Sequence, residues 1–174
     1  MAEERRDQLI AAARELLEEE GEAALSMRRL ADRIGMRASS IYKHVPDKAT
    51  LEVALVAEGL AEAGEALRRA GPELEPIARA YREWALTHPH LYRLMNDRPL
   101  PRDRLPAGLE ARAAEPLFAA LGDQNQARAA WASAHGLVSL ELAGRFPADA
   151  DVDAAWAAMV RAFAERGAIT PKRA

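Results

Sequence analysis

Six cationic side chains crowd one short stretch of this sequence. Between Ser26 and Lys48 stand Arg28, Arg29, Arg33, Arg37, Lys43 and Lys48, opposed only by Asp32 and Asp47. That is a net +4 over 23 residues, while the rest of the 174-residue chain carries −7 and the whole −3. Guanidinium and ammonium groups gathered this way suit phosphate oxygens. The pI is about 5.9, so nucleic-acid binding has to come from this local patch and not from bulk charge. Among the cations lie Ala38, Ser39, Ser40, Tyr42 and His44, small or polar groups able to approach bases or the sugar-phosphate chain. Taken singly, Arg28, Arg29 and Arg33 read as an ordinary solvated helix face. Tyr42 alone reads as a core tyrosine with a wet hydroxyl, and His44 alone as a structural histidine. Their combination points to DNA.

Other chemistries find little support. The chain has no cysteine, which removes disulfides, thiolate metal sites and thiol nucleophiles. His88 and His90 are two apart, which on a helix does not share a face, and Pro89 interrupts the path between them. With His135 far away and no His-x3-His pair, no metal site and no cofactor are expected. Neither a Gly-rich phosphate loop nor a nucleophile elbow is visible, so the chain does not read as an enzyme. The competing class is a helical protein-interaction module, or a ligand-binding protein without operator binding. Either would show no duplex binding at low salt and would not need the basic patch.

The elements that must carry the patch are helical. Alanine fills 40 of 174 positions and aromatics only 5%, which favours an all-α fold of about nine helices. Ile10, Ala13 and Leu17 form the stripe of a first helix over residues 4–20, ended by Gly21. Ser26 is placed to cap a short second helix with Leu30, Ala31 and Ile34 on its apolar side, stopped by Gly35. A very short third helix, about 38–44, has Ile41 as its anchor. Pro46 forbids simple continuation and Asp47 caps a long fourth helix to about residue 70. Further helices are expected over 74–87, from Pro89, over 109–121 with a kink or split at Pro116, over 124–144, and from an Asp149 or Asp151 cap to about 166. Glu3, Glu4 and Asp7 stand where a secretory signal would be basic, and the apolar runs fall far short of the ~20 residues of a membrane span. A cytoplasmic protein is expected.

A short helix, a glycine turn and a second slim helix make up the helix-turn-helix pattern, in which the second helix must fit a major groove about 12 Å wide. Residues 3–63 resemble the amino-terminal DNA-binding domain of the tetracycline-repressor (TetR) family. The matching positions are Ile10-x2-Ala13-x2-Leu16, Gly21, Leu25-Ser26-Met27-Arg28, Leu30-Ala31, Ile34-Gly35-Met36, Ile41-Tyr42-x-His44, Asp47-Lys48 and Leu51. The resemblance implies a helix-turn-helix at 26–45, in a homodimer whose third helices enter successive major grooves of a palindromic operator. Ser26 and Arg28 would meet phosphate; Arg37, Ala38, Ser39 and Ser40 would approach bases; Tyr42, Lys43, His44 and Lys48 would complete the DNA contact. Three positions depart from the usual pattern: Arg37 stands where a small polar cap is common, Ser39 where glycine or proline is frequent, and Val45 where a large aromatic is usual.

The resemblance also implies a carboxy-terminal domain, residues 64–167, that binds a small-molecule effector and dimerises, so that the effector releases the repressor from its operator. Residues 168–174 read as a flexible tail. Trp131-x3-His135-Gly136 resembles the signature of a TetR subgroup named for its Trp and His-Gly, and the segment from Trp84 through His88 to Met95 fits it. Tyr81, Trp84, Tyr92, Met95, Phe118, Trp131 and His135 are the candidate walls of the effector cavity, although each could equally be core. Val152, Trp156, Met159 and Phe163 recur at +4, +3 and +4. With Val138 and Leu142 they are the expected dimer interface, an isologous four-helix bundle; the alternative is cover for the chain's own core.

Overall fold

A computed structural model describes residues 2–167, and among them all regular structure is helical. The elements are α1 (Ala2–Glu20), a single 3-10 turn (Glu22–Ala24), α2 (Met27–Arg33), α3 (Ala38–Ile41), α4 (Lys48–Arg69), α5 (Leu74–Thr87), α6 (Pro89–Asn96), α7 (Leu109–Leu121), α8 (Gln124–Leu142) and α9 (Val152–Gly167). The expected all-α class and count of helices hold among the described residues. Residues 168–174, expected to be a flexible tail, lie outside them. Of the kink or split expected at Pro116, the split is not found: Pro116 is buried inside one continuous α7. A proline lacks one amide donor and crowds the preceding turn, and here the helix passes through it.

The described residues divide into two compact units, one running to Ala61 and including His88–Leu109, the other comprising Glu62–Thr87 and the described residues from Glu110 on. In the first unit Leu9, Ile10, Ala13, Leu16 and Leu17 bring one face of α1 into a core shared with Leu30, Ile41, Leu51, Leu55 and Leu91. The 3.6-residue period is what collects these side chains on one side of each helix. Caps fix where the helices begin. Ser26 Oγ accepts from Arg29 N at 3.3 Å, and Asp47 Oδ1 accepts from Thr50 N at 2.6 Å. Gly35, at φ +67°, supplies the left-handed residue that turns the chain out of α2.

The helix α6 belongs to this first unit, and its start is capped from another element. Its own N-cap, His88, makes no side-chain cap bond. Instead the Glu18 carboxylate of α1 accepts from His90 N and Leu91 N, each at 3.2 Å. Further along, Gly59 of α4 lets α6 approach closely: a Cβ there would overlap Met95 Sδ and come within 2.8 Å of Leu91 Cδ2.

In the second unit Leu74 of α5, Leu121 of α7 and Ala127 and Ala130 of α8 form a core flanked by Leu117, Phe118, Val160 and Phe163. A polar knot fastens α5, α8 and α9. Arg82 donates from Nε and Nη2 to Glu141 Oε2 (3.1 and 2.8 Å) and from Nη1 to Asp153 Oδ1 (2.5 Å). Trp156 Nε1 donates to Glu141 Oε1 at 2.6 Å, and the guanidinium carbon lies 5.5 Å from the Trp156 ring centroid. Burial opposes the Arg82 charge, but Asp153 and Glu141 outweigh it and raise its pKa.

Candidate nucleic-acid interface

The structure sorts the six cations of Ser26–Lys48 into two sets. Arg29 and Arg33 turn back onto α1: Arg29 Nη2 lies 2.5 Å from Glu20 Oε2, and Arg33 reaches Glu19 at 2.8 Å and Glu15 at 3.2 Å. Hydrogen bonds from Arg33 hold the Glu19 carboxyl below the usual carboxylate range, while Glu19 and then Glu15 raise the pKa of Arg33. Lys48 Nζ rests 3.4 Å from Glu52, one turn on. Arg28, Arg37 and Lys43 are exposed and have no carboxylate within ion-pair distance among the described residues. They form the uncommitted part of the patch.

Arg28 lies in the first turn of α2, and Arg37 and Lys43 flank α3. It is one turn long, and Ile41, with no exposed surface, anchors it. Backbone bonds from Ser40 N to Arg37 O and from His44 N and Val45 N to Ile41 O carry the coil past its formal end. Ser39, Tyr42 and Lys43 are exposed, Tyr42 by 50%, while Ala38, Ser40 and His44 are half-buried. Arg37 is the N-cap residue and makes no side-chain cap bond, so its five donors stay available. Val45, smaller than an aromatic, is still fully packed at 1% exposure. Ser26 spends one acceptor on its own helix, which seats the start of α2.

The remaining expected site residues are spread over both units. Tyr92, buried, and Met95, half-buried, lie on α6 in the first unit. Tyr81, Trp84, Phe118, Trp131 and His135 lie in the second. Trp84 is buried, Tyr81 half-buried, and Phe118 packs on the Leu74–Leu121 core. Trp131 is instead 48% exposed and stacks on His135 with ring centroids 5.9 Å apart. Of the expected interface residues, Val138 is fully buried and Trp156 is 6% exposed within the chain itself. Leu142, Val152, Met159 and Phe163 are half-buried, and Phe163 covers the second unit's core. The stripe on α9 is a true apolar face, but its period does not say whose core it covers. Leu140 of α8, 44% exposed, is a large apolar side chain outside the expected interface set.

A capped short helix, a glycine turn and a slim second helix pinned by one isoleucine define a helix-turn-helix. Comparison with known proteins gives the family. Residues 9–55 match the family model for bacterial regulatory proteins of the tetR family, and residues 74–163 match the tetracyclin repressor-like C-terminal domain. The chain is 31% identical over 170 residues to the uncharacterized HTH-type transcriptional regulator Rv0681 of Mycobacterium tuberculosis, covering 89% of this chain and 78% of that one. It superposes on SCO4313, described as a regulatory protein, with TM-score 0.75 and 26% identity over 93% of this chain and 96% of that one. On the multidrug binding protein EbrR, solved with imidazole, the values are 0.65 and 26%, over 98% and 97%. The chain belongs to the TetR family. It spans only 54% of the length of other mycobacterial regulators that it matches at 28% identity over 126 residues. No helix among the described residues is long and apolar enough to cross a membrane. The description of the C-terminal family model does not name the Trp/His-Gly subgroup.

Proposed function

We propose that this chain is a DNA-binding transcriptional regulator that works as a homodimer on a palindromic operator. One observation carries the reading: Arg28 on α2 and Arg37 and Lys43 on either side of α3 stay exposed and unpaired, whereas Arg29 and Arg33 are neutralised by α1. A helix held by one buried residue, with Ser39, Tyr42 and Lys43 outward, is slim enough to enter a major groove. Arg37 and the exposed α3 side chains read base edges. Arg28, Lys43 and Lys48 bind phosphate, Lys48 by exchanging its weak helical partner Glu52 for an oxygen of the backbone.

The second copy docks on the outer face of α8. Ala132, Gly136 and Leu140 follow one another at four-residue steps, and a Cβ at Gly136 would meet nothing of this chain within 4 Å. A mid-helix glycine costs about 1 kcal/mol relative to alanine. Close approach by a two-fold-related α8 offsets that cost and covers Leu140 and the exposed Trp131 ring. In the second unit, Tyr81, Trp84 and Phe118 offer aromatic surface to a small-molecule effector, in keeping with a relative described as a multidrug binding protein. Effector binding releases the repressor by favouring one separation of the two heads, and can do so only through its differential affinity for the two shapes.

The direct test is a titration of the full chain with duplex DNA at low salt, with Arg28→Ala/Lys43→Ala as the comparison. Tight, salt-sensitive binding that the double substitution weakens supports the reading. No binding at low salt overturns it.

A further inference from the structure

The stretch after α6, residues 97–106, lies more than 50 residues beyond the helix-turn-helix and outside the matched tetR segment 9–55. It is nonetheless part of the first unit. Its path is stiffened by Pro99, Pro101 and Pro106 and by short-range bonds from Arg102 N to Leu100 O and from Arg104 N to Pro101 O, both 2.9 Å. Two of its arginines reach the other elements of the unit, with opposite outcomes. Arg98 pairs with Glu22 of the 3-10 turn and with Glu52 of α4, so its charge is spent inside the fold. Arg104 is exposed and donates from Nη2 to a neutral group, Thr50 Oγ1, at 2.9 Å. It has no carboxylate within ion-pair distance among the described residues, although it helps to hold the nearby Asp47 carboxyl low, after the hydrogen bonds from Thr50.

That placement asks for an anion. Thr50 is in the first turn of α4, where the aligned peptide dipoles already create positive potential, and Lys48 stands in the same turn. The Asp47 carboxylate at the start of α4 balances part of this charge, and the exposed guanidinium keeps donors for a further negative group. The site is also close to α3: Lys48 is six positions beyond Tyr42, at most about 20 Å of extended chain, comparable to one major groove with its flanking phosphates.

We propose that Arg104 is a DNA-phosphate ligand supplied by the segment following α6, held ready by Thr50 beside Lys48. This rests on the DNA-binding reading above and extends the operator interface beyond the helix-turn-helix. Binding needs no covalent step. Arg104 keeps its hydrogen bond to Thr50 with one donor and offers the others to a phosphate oxygen. Since the prolines fix the segment beforehand, little conformational freedom is given up on binding.

A phosphate interaction is independent of sequence, so a random-sequence duplex of about 30 base pairs serves as the probe. Fluorescence anisotropy between 50 and 200 mM salt gives the slope of log K against log salt, expected to fall in magnitude by about 0.9 for each phosphate that a bound chain no longer neutralises. Arg104→Gln should lower that slope and weaken binding several-fold at low salt. Arg104→Lys should retain the slope, and Arg79→Gln, a charge removed from the exposed surface of α5, should leave it unchanged. If Arg104→Gln matches wild type, or if Arg79→Gln lowers the slope equally, Arg104 does not bind phosphate. A wild-type chain that fails to bind the duplex at all would instead sink the DNA-binding reading itself.

Discussion

Arg33 meets Glu19 through both guanidinium ends: Nη1 lies 2.8 Å from Oε2 and Nη2 2.8 Å from Oε1. This fork-to-fork pair joins α2 to α1 and takes out of play a cation that sits squarely within the basic stretch. Planar bidentate pairing is what a guanidinium does better than an ammonium. The helix-turn-helix is thus braced by some of its arginines and exposes the others.

The two roles separate by mutation. Arg33→Ala should lower the melting temperature and leave the salt slope of DNA binding close to wild type. Arg28→Ala should leave the melting temperature close to wild type and flatten the slope by about 0.9 for the phosphate it no longer meets. Thermal denaturation and anisotropy titrations on the same preparations check both. A flattened slope for Arg33→Ala would place its charge on the DNA.

The pair also sets an acid limit. Glu19 is held below its ordinary pKa by Arg33, and Asp47 below its own by the Thr50 amide and hydroxyl. The folded chain therefore binds these protons less readily than the unfolded chain, whose carboxylates titrate near about 4. Their stabilisation is present in full above that value and is lost as pH falls through the lower folded values. Melting temperatures measured from pH 7 down to 3 should fall less steeply for Glu19→Gln than for wild type. Parallel curves would mean that the Arg33 pair contributes nothing to acid stability.

Arg37→Ala should relax preference at one base pair in each half-site by about 1–3 kcal/mol and leave the fold intact, since Arg37 makes no cap bond to lose. The check is the sequence profile recovered from random duplexes. A profile equal to wild type would remove Arg37 from base readout.

Glu18→Ala should uncap α6. Backbone amides at His90 and Leu91 lose their acceptors, and N-cap loss typically costs about 0.5–2 kcal/mol. Hydrogen exchange should accelerate first at those two amides. Exchange that stays at wild-type rates there would show that water replaces the carboxylate without cost.

Leu140→Glu should yield monomers by light scattering with little change in melting temperature, because Leu140 is exposed in the single chain. Trp156→Glu is a different experiment: Trp156 is buried against Arg82 and Glu141, so that change should unfold the second unit rather than divide a dimer. A Leu140→Glu dimer of normal stability would move the interface off this face of α8.

Much of the first unit is legible in the chain because its signals are local. Ser26 and Asp47 announce their caps within three residues, Gly35 its turn, and Ile41 the single anchor of α3. The pairing of Arg33 with Glu19 and Glu15 is not legible, because it joins residues 14 and 18 apart whose meeting depends on how α2 crosses α1. The run Glu18-Glu19-Glu20 on α1 is the available hint, and one helical turn separates Glu15 from Glu19. Likewise the residues of α6 carry no mark that their cap comes from Glu18, some 70 positions earlier. The apolar period of α9 correctly announces a covered face. It does not distinguish the chain's own α5, α7 and α8 from those of a second copy, although Val138 and Trp156 are already buried within the single chain.

Central to this picture is α3 reading DNA as one of a symmetric pair. Selection of random-sequence duplexes by the full chain, followed by light scattering of the complex on the enriched sequence, tests this most directly. The expected result is an inverted repeat with half-site centres one helical turn, or a multiple of it, apart, and an even number of protomers on each duplex. An unenriched pool, or an asymmetric sequence held by a single protomer, would contradict it.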